Sequence, residues 1–561
     1  MVTWSDIQRW NPSALTSAGS SLRSLRTTLL TTCQDAEAAE RAVLSRGLTV
    51  TQAQEVLRGL TKKHTRLVNE VSELMMATVE AADGVGDVQT LVLECTQYAQ
   101  THPELTLNAD GSVDYPKRDV TMGDLTDSRG PSGDACHAAL TERDANELKS
   151  LVTKALARAV EVDEAYGKRL DALTNGTYTC VETSGTHSPG LPNQPQAGWS
   201  PTQVAFWWAS LTQAEKQAII TERPEWIGNL DGIDMASRSQ ANLNRLPTEL
   251  AAAQAEYDRV KKEYDDWQKD HDDKKNSGGI VTSDSNPHAS KLDTAKVKLA
   301  DLNAINSRID DNPEFSLLVL DTSGDDRVHA AVGYGDVDHA AHVGTFVPGM
   351  YSNPEESLSG NGDDDLDATM RLQQAAGRNR PDGGVATVMW LDYDAPPSPI
   401  RAASTHRAHM GAEALASFTE GINASRAASG GSEPHQTLLG HSYGSTTAGF
   451  AADHARAGVI DDLVLFGSPG SGVQDAREYN LGTGHAYVSA VDSHDWVQGM
   501  GPDGAFGKNP TGMPGMHHLS GDAPGTQGLN NVNPFARHSA YLAEGAPALE
   551  DMGAVIAGQG K

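Results

Sequence analysis

From Pro12 to about Ala42, apolar side chains return every three to four residues, a spacing that predicts an amphipathic helix. Asn11-Pro12 offers a capping side chain followed by proline in the first turn, where its missing N–H is harmless. Thr51-x-x-Gln54 carries the capping-box pattern and opens a second long helix to about Ala82, with a third over about Val88–Gln100. Asn108-Ala-Asp-Gly111 lies between the runs Leu105–Leu107 and Val113–Tyr115 and predicts a small hairpin. Another long helix spans about Ala138–Leu173, and Thr183–Gly198, rich in Gly, Pro, Ser and Thr, reads as a linker. A second helical block opens at Ser200-Pro201 and restarts at Thr212-x-x-Glu215. It continues as a charged helix over about Arg238–Lys274 and another over about Ser290–Ile309. Charges interleaved with Leu, Ala and Tyr predict an antiparallel pair with a solvated outer face.

The texture changes at Phe315. Short β-rich runs now occur at Ser316–Asp321, Arg327–Gly333, Val343–Pro348, Ala386–Leu391, Gln436–Gly440, Leu463–Phe466 and Ala486–Val491. Helical stretches are expected at about Asp364–Ala376, His406–Ala428, Ser445–Ala457 and His538–Leu542. This alternation predicts a mostly parallel α/β sheet, with its first two strands paired antiparallel across the Asp321–Asp326 turn. A chain of 561 residues exceeds one core. It divides into an all-α region at 1–190, a helical segment at 199–310, an α/β domain at 311–545 and a C-terminal tail at 546–561.

Composition narrows the function classes. A net charge of −31 argues against nucleic acid or an anionic membrane as the main partner. No apolar stretch approaches the ~18–20 residues of a membrane span. The opening Met-Val-Thr-Trp-Ser-Asp-Ile lacks a basic n-region and an apolar core, so no Sec-type signal is expected and a cytoplasmic location is. Cys33, Cys95, Cys136 and Cys180 match no zinc spacing and are expected to be buried free thiols, with a disulfide within the helical region as the alternative. No cofactor or metal is implied. The carboxylates of Asp363-Asp-Asp-Leu-Asp367 lack calcium-loop spacing and fall where a helix begins, and those around Thr322–Arg327 read as turn residues.

The candidate chemistry lies in Gly440-His-Ser-Tyr-Gly444, a G-x-S-x-G pentapeptide between an apolar run and a small-residue helix. That context predicts a sharp strand-to-helix turn presenting Ser442 Oγ at the carboxyl end of a strand. A serine hydroxyl needs a base, a carboxylate to orient the base, and N–H donors for the oxyanion. Asp495, just past the Tyr487–Val491 strand and followed by Trp496-Val497, is the preferred acid, with Asp492 in reserve. His538, entering a short helix, is the preferred base. His517 and His518 lie in a Gly/Pro-rich loop and are expected to face solvent; His441 is expected to pack, and His494 to belong to a loop. The oxyanion donors are expected to be the N–H groups of Tyr443 and of Met350, which follows Pro348-Gly349. The Gly499–Asn533 stretch, rich in Gly, Pro and Met, is a candidate lid. The constellation predicts cleavage of an ester or related acyl bond in a small-molecule substrate through an acyl-enzyme.

Gly440-His-Ser-Tyr-Gly-Ser-Thr446 and Val385-Ala-Thr-Val-Met-Trp-Leu-Asp-Tyr-Asp-Ala-Pro396 resemble the elbow and preceding strand of actinobacterial α/β-hydrolases long catalogued as a domain of unknown function. Pro224-x-x-Ile-Gly-Asn-Leu-Asp-Gly232 with Arg238-x-x-Ala-Asn242 is similar to the segment that precedes that domain, with Asp234 where the family usually has proline. The resemblance covers about Trp207–Leu542 and implies an α/β-hydrolase fold. The start, Trp4-x-x-x-x-x-Trp10 with a helical hairpin, resembles Trp-x-Gly partner domains of type VII secretion, although the Arg46-Gly47 turn lacks the diagnostic tryptophan. That likeness implies an alternative: an exported effector or interaction protein whose helical region binds a protein partner.

Overall fold

A computed structural model describes residues 2–42, 48–116, 133–177, 194–277, 285–310, 312–324, 326–380, 384–482, 484–491, 495, 497–521 and 538–560. They form two compact units: Met1–Thr212 with Ala424–Ser432, and Gln213–Asn423 with Glu433–Lys561. Among the described residues no helix is long and apolar enough to cross a membrane.

The first unit is built on three long helices, Pro12–Ala42, Leu48–Thr101 and Gly133–Thr174. Arg26 reaches Ser72 at 2.7 Å while Gly19 faces Val79, so the first two run antiparallel. Tyr166 meets Thr78 and Arg158 pairs with Asp87, so the third returns antiparallel to the second. Two separate helices were expected between Thr51 and Gln100, but one continuous helix is present. Gly84, in the gap expected between them, sits at a close approach: a Cβ there would lie 2.4 Å from a Val162 methyl. Packing has overridden the weak helix propensity of glycine. Trp4 and Ile7 are buried with Val88, Cys95, Leu148 and Val152, and the hairpin strands β1 (Thr106–Leu107) and β2 (Val113–Asp114) pair antiparallel. Burial pushes the Cys95 thiol up to about 12, consistent with an inert core residue. The side chains of Cys33, Cys136 and Cys180, and most of the expected linker, lie outside the described residues.

The second unit centres on an eight-stranded sheet. Its strands are β3 (Phe315–Asp321), β4 (His329–Tyr334), β5 (His342–Val347), β6 (Val385–Leu391), β7 (His435–His441), β8 (Asp462–Phe466), β9 (Ala486–Ser489) and β10 (His517–His518). Their spatial order is β10-β9-β8-β7-β5-β6-β4-β3, and only β4 runs against the rest. Central strands such as β5 and β6 are buried along their whole length because helices cover both faces. Leu438, Leu463, Leu465 and Val488 meet Ala412, Leu415, Phe418 and Ala448 on one face. Phe346, Leu439, Val464 and Tyr487 meet Leu372, Ala375, Leu549 and Met552 on the other.

Two expected boundaries read differently in the structure. The stretch 546–561, expected as a tail, contains the helix Pro547–Ile556, whose Leu549, Met552 and Ile556 complete that second face. The alternation of small and apolar residues there was too short to stand out as a helix. The segment after Thr212 groups with the sheet because it covers the open edge of β3, where unpaired backbone would otherwise invite aggregation. The Asn229 side chain accepts from Leu320 N–H and donates to its carbonyl, both at 2.8 Å. Ser239 and Asn242 serve Leu317 in the same way. Buried Arg238 bridges Asp231 at 2.7 Å and lies over the Phe418 ring. Asp234 caps the helix Met235–Asn276 by accepting from Ser237 N–H. That helix and Ala289–Asp310 form the expected antiparallel pair: Asn286 bonds the Tyr264 carbonyl at one end, while Leu246 packs with Ile305 and Ile309 nearer the other.

Candidate active site

Ser442 stands between β7 and the helix Tyr443–His454 with φ 53° and ψ −129°. A non-glycine residue in that region costs on the order of 1–3 kcal/mol and persists only where its surroundings enforce it. Here they do. A Cβ on Gly440 would come within 2.4 Å of Ser445 Cα, and one on Gly444 within 2.3 Å of the Val347 carbonyl oxygen. The loop after β5 presses against the serine, since a Cβ on Gly349 would lie 2.6 Å from Ser442 Cβ and 3.1 Å from its Oγ. Met350 follows directly. Tyr443 is the first residue of the helix, so its N–H has no acceptor within the helix. Its ring is held by a hydroxyl bond to the Ser404 carbonyl at 2.6 Å.

Asp495 and His538, distant in sequence, are buried together. His538 Nδ1 lies 3.0 Å from each Asp495 oxygen. Burial alone would raise the Asp495 pKa, but hydrogen bonds from His538, the Tyr541 hydroxyl and the Val497 N–H hold it below the ordinary value. The pair meets the serine at one loop. Ser442 N–H donates to the Phe466 carbonyl at 3.0 Å, and the next residue, Gly467, has φ 55°. A Cβ on Gly467 would stand 2.9 Å from His538 Cε1 and 3.2 Å from an Asp495 oxygen. No hydrogen bond joins Ser442 Oγ to His538 among the described residues; such bonds are often long until substrate binds.

His441 packs, as expected. Its ring stacks on Phe466 and lies 4.6 Å from the His538 ring, with Nε2 2.8 Å from the His538 carbonyl oxygen. Burial and the neighbouring His538 push its pKa down to about 3, so it stays neutral and its Nε2–H donates to that carbonyl, fixing the loop. His517 and His518 are exposed on β10, while Asp492 and His494 lie outside the described residues. Of the candidate lid, residues 499–521 are anchored at points: Gly499 N–H bonds the Ser468 carbonyl, and Phe506 is buried beside the Tyr443 ring, while stretches such as 502–505 are exposed. The remainder lies outside the described residues. Asp364 and Asp367 form a helix-capping box, as expected for carboxylates at a helix start.

Sequence reasoning missed Tyr541. Its hydroxyl donates to Asp495 at 2.9 Å and accepts from the N–H groups of Val491 and Gly467. The only available signal was its spacing, three residues after His538 on one helical turn. Tyr541→Phe is expected to cut kcat about ten- to a hundredfold with little change in KM, since a hydrogen bond to the ionised acid is worth about 1.5–3 kcal/mol. Steady-state kinetics on an ester check this; unchanged kcat rules out a positioning role.

The wall of a cavity of about 840 Å³ includes Met350, Tyr351, Tyr393, His329, Asp394 and Arg407. Burial would lower the His329 pKa, but Asp392 and Asp394 raise it to about 10. Burial also raises the Asp365 carboxyl at the cavity edge, which accepts from Ser357. Among the described residues, Asp321, His329 and Asp392 offer ligand atoms within 4.8 Å of one another.

Comparison with known proteins places this geometry in context. Residues 323–504 match a family model described as alpha/beta hydrolase. The chain is similar to the uncharacterized protein Rv2079 of Mycobacterium tuberculosis, with 29% identity over 403 residues. That alignment takes in 66% of this chain and 58% of the relative, so this chain spans less than two thirds of the relative's length. It is also 37% identical over 239 residues to the uncharacterized protein Rv0963c of Mycobacterium tuberculosis and to Mb0988c of Mycobacterium bovis, covering 41% of this chain and 86% of each relative.

Proposed function

This chain belongs to the alpha/beta hydrolase family, and from that premise we propose that it is a serine hydrolase cleaving an ester or related acyl bond. What carries the reading is the meeting of a strained Ser442 with a hydrogen-bonded Asp495–His538 pair at Phe466-Gly467. In the proposed reaction Ser442 Oγ attacks the substrate carbonyl carbon while His538 Nε2 takes its proton. Asp495 fixes the imidazole tautomer through Nδ1 and stabilises the imidazolium. The N–H groups of Tyr443 and Met350 hold the oxyanion. Collapse breaks the acyl–oxygen bond, and His538 returns the proton to the leaving alcohol. Water, deprotonated by His538, then attacks the acyl-enzyme and frees Ser442. A fluorophosphonate probe tests the reading: covalent labelling should map to Ser442. Labelling that persists in Ser442→Ala overturns the assignment of the nucleophile.

A second reading concerns the helical unit. Val56, Leu60 and Leu67 are exposed at spacings of four and seven on one helix, and Leu25 is exposed on its hairpin partner. Such a stripe suits a protein partner, and the loose likeness to secretion-partner domains suggests export by a type VII route. Fractionation of the native host with and without that apparatus separates the cases. Protein confined to the cytosol in both ends the export reading.

A further inference from the structure

We propose that Asp321, His329 and Asp392, three residues that the proposed acyl transfer does not use, form a binding site for a divalent transition-metal ion of the zinc class. Strand register creates the cluster. Asp321 ends β3 and pairs with His329, the first residue of β4, while Ala330 pairs with Leu391, so Asp392 leaves β6 next to the same histidine. The three side chains thus project from one end of three adjacent strands, and their ligand atoms fall within 4.8 Å of one another.

Without an ion, Asp392 and Asp394 favour the protonated imidazole, so a cation bound at Nδ1 must displace that proton and take its place between the ring and Asp392. The ring's Nε2 makes a hydrogen bond to Asp394 at 3.1 Å, the outer carboxylate contact that fixes tautomer and ring orientation in metal sites. Its Nδ1 faces Asp392 at 3.4 Å. That is long for a hydrogen bond, but it matches the edge of a tetrahedron with bonds of about 2.1 Å, roughly 3.4 Å. Asp321 spends one oxygen on Ser323 N–H at 2.8 Å. Charge points the same way: Asp321, Asp392 and Asp394 surround one imidazole, and the nearby Arg407 reaches only Asp394 among them, at 3.5 Å. Lys298 is turned to the carbonyls of Thr322 and Gly324.

One imidazole and two carboxylates suit zinc, cobalt or manganese better than the oxygen-only preferences of calcium or magnesium. Three ligands are fewer than such an ion takes. The remaining positions fall to water or to a group entering the cavity, whose wall includes His329 and Asp394.

The test is titration of the chelator-treated full chain with Co2+, followed by its visible absorption and by calorimetry. One ion per chain is expected at the site, with absorption intensity showing four- or five-fold coordination, and added Zn2+ should displace it. His329→Ala and Asp392→Asn should each weaken binding at least 100-fold. Asp394→Asn, which keeps all three ligands, should weaken it about 10- to 100-fold. Circular dichroism melts on each variant separate lost binding from lost folding. Absence of a bound equivalent in the wild-type chain, or equal binding in folded His329→Ala and Asp392→Asn, overturns the proposal. None of these readouts depends on the hydrolase chemistry.

Discussion

Exchanging Ser442 for alanine is expected to lower kcat for p-nitrophenyl ester hydrolysis by about 10⁶-fold, because nucleophile, base and oxyanion donors act as one unit. The residual rate would come from binding and from the N–H donors alone. Folding should survive. The hydroxyl makes no described hydrogen bond, and alanine inherits a backbone conformation already enforced by Gly440, Gly444 and Gly349. Initial rates alongside a thermal melt check both halves. A loss below tenfold in a folded variant would place the nucleophile elsewhere.

Asn at Asp495 carries the second large effect, a fall in kcat of about 10⁴-fold. The amide cannot accept from His538 Nδ1–H with both oxygens and favours the wrong imidazole tautomer. The Tyr541 hydroxyl and the Val497 N–H, which now donate to the carboxylate, would meet a partly donating group. Asp492→Asn is the comparison, and its kcat should stay within a few-fold of wild type. The opposite ranking would move the role of the acid to Asp492.

Much of the catalytic unit was legible because both its periods are regular. The run Val385–Leu391 is apolar, rich in β-branched residues and bounded by turns, while His435–His441 shows only the short core Thr437-Leu438-Leu439 ahead of the elbow. Strand β10 was not legible: two polar histidines carry no hydrophobic pattern, and only the neighbouring β9 makes them a strand. The helix Pro547–Ile556 escaped for a related reason, since Gly553 lowers its propensity yet is required where a Cβ would meet Ala375 at 2.6 Å. Gly84 lies in the gap expected between two helices and is likewise required by a close approach, to Val162. Glycine marks a break when judged alone and a close approach when judged in a packed structure.

The candidate site divides along the same line. The G-x-S-x-G spacing demands a strained turn, so Ser442 could be found from its neighbours alone. Asp495 and His538 could be ranked only by chain order and loop context, yet the two hydrogen-bond to each other. Tyr541 and Gly467 were invisible because their roles depend on distances between segments. Asn229 and Asn242 were seen as parts of a motif and Ser239 was not; the role of all three as a cover for β3 emerged only with the sheet edge in view.

The bond from His441 to the His538 carbonyl spans 97 residues of chain, and that from Asp495 to His538 spans 43. Contacts of such range close late, after local helices have formed, since loop entropy is spent before they return anything. A partly folded chain, however complete its helices, therefore lacks an oriented base beside its serine. On the proposed mechanism, catalytic competence would wait for the strand crossings that bring these segments together.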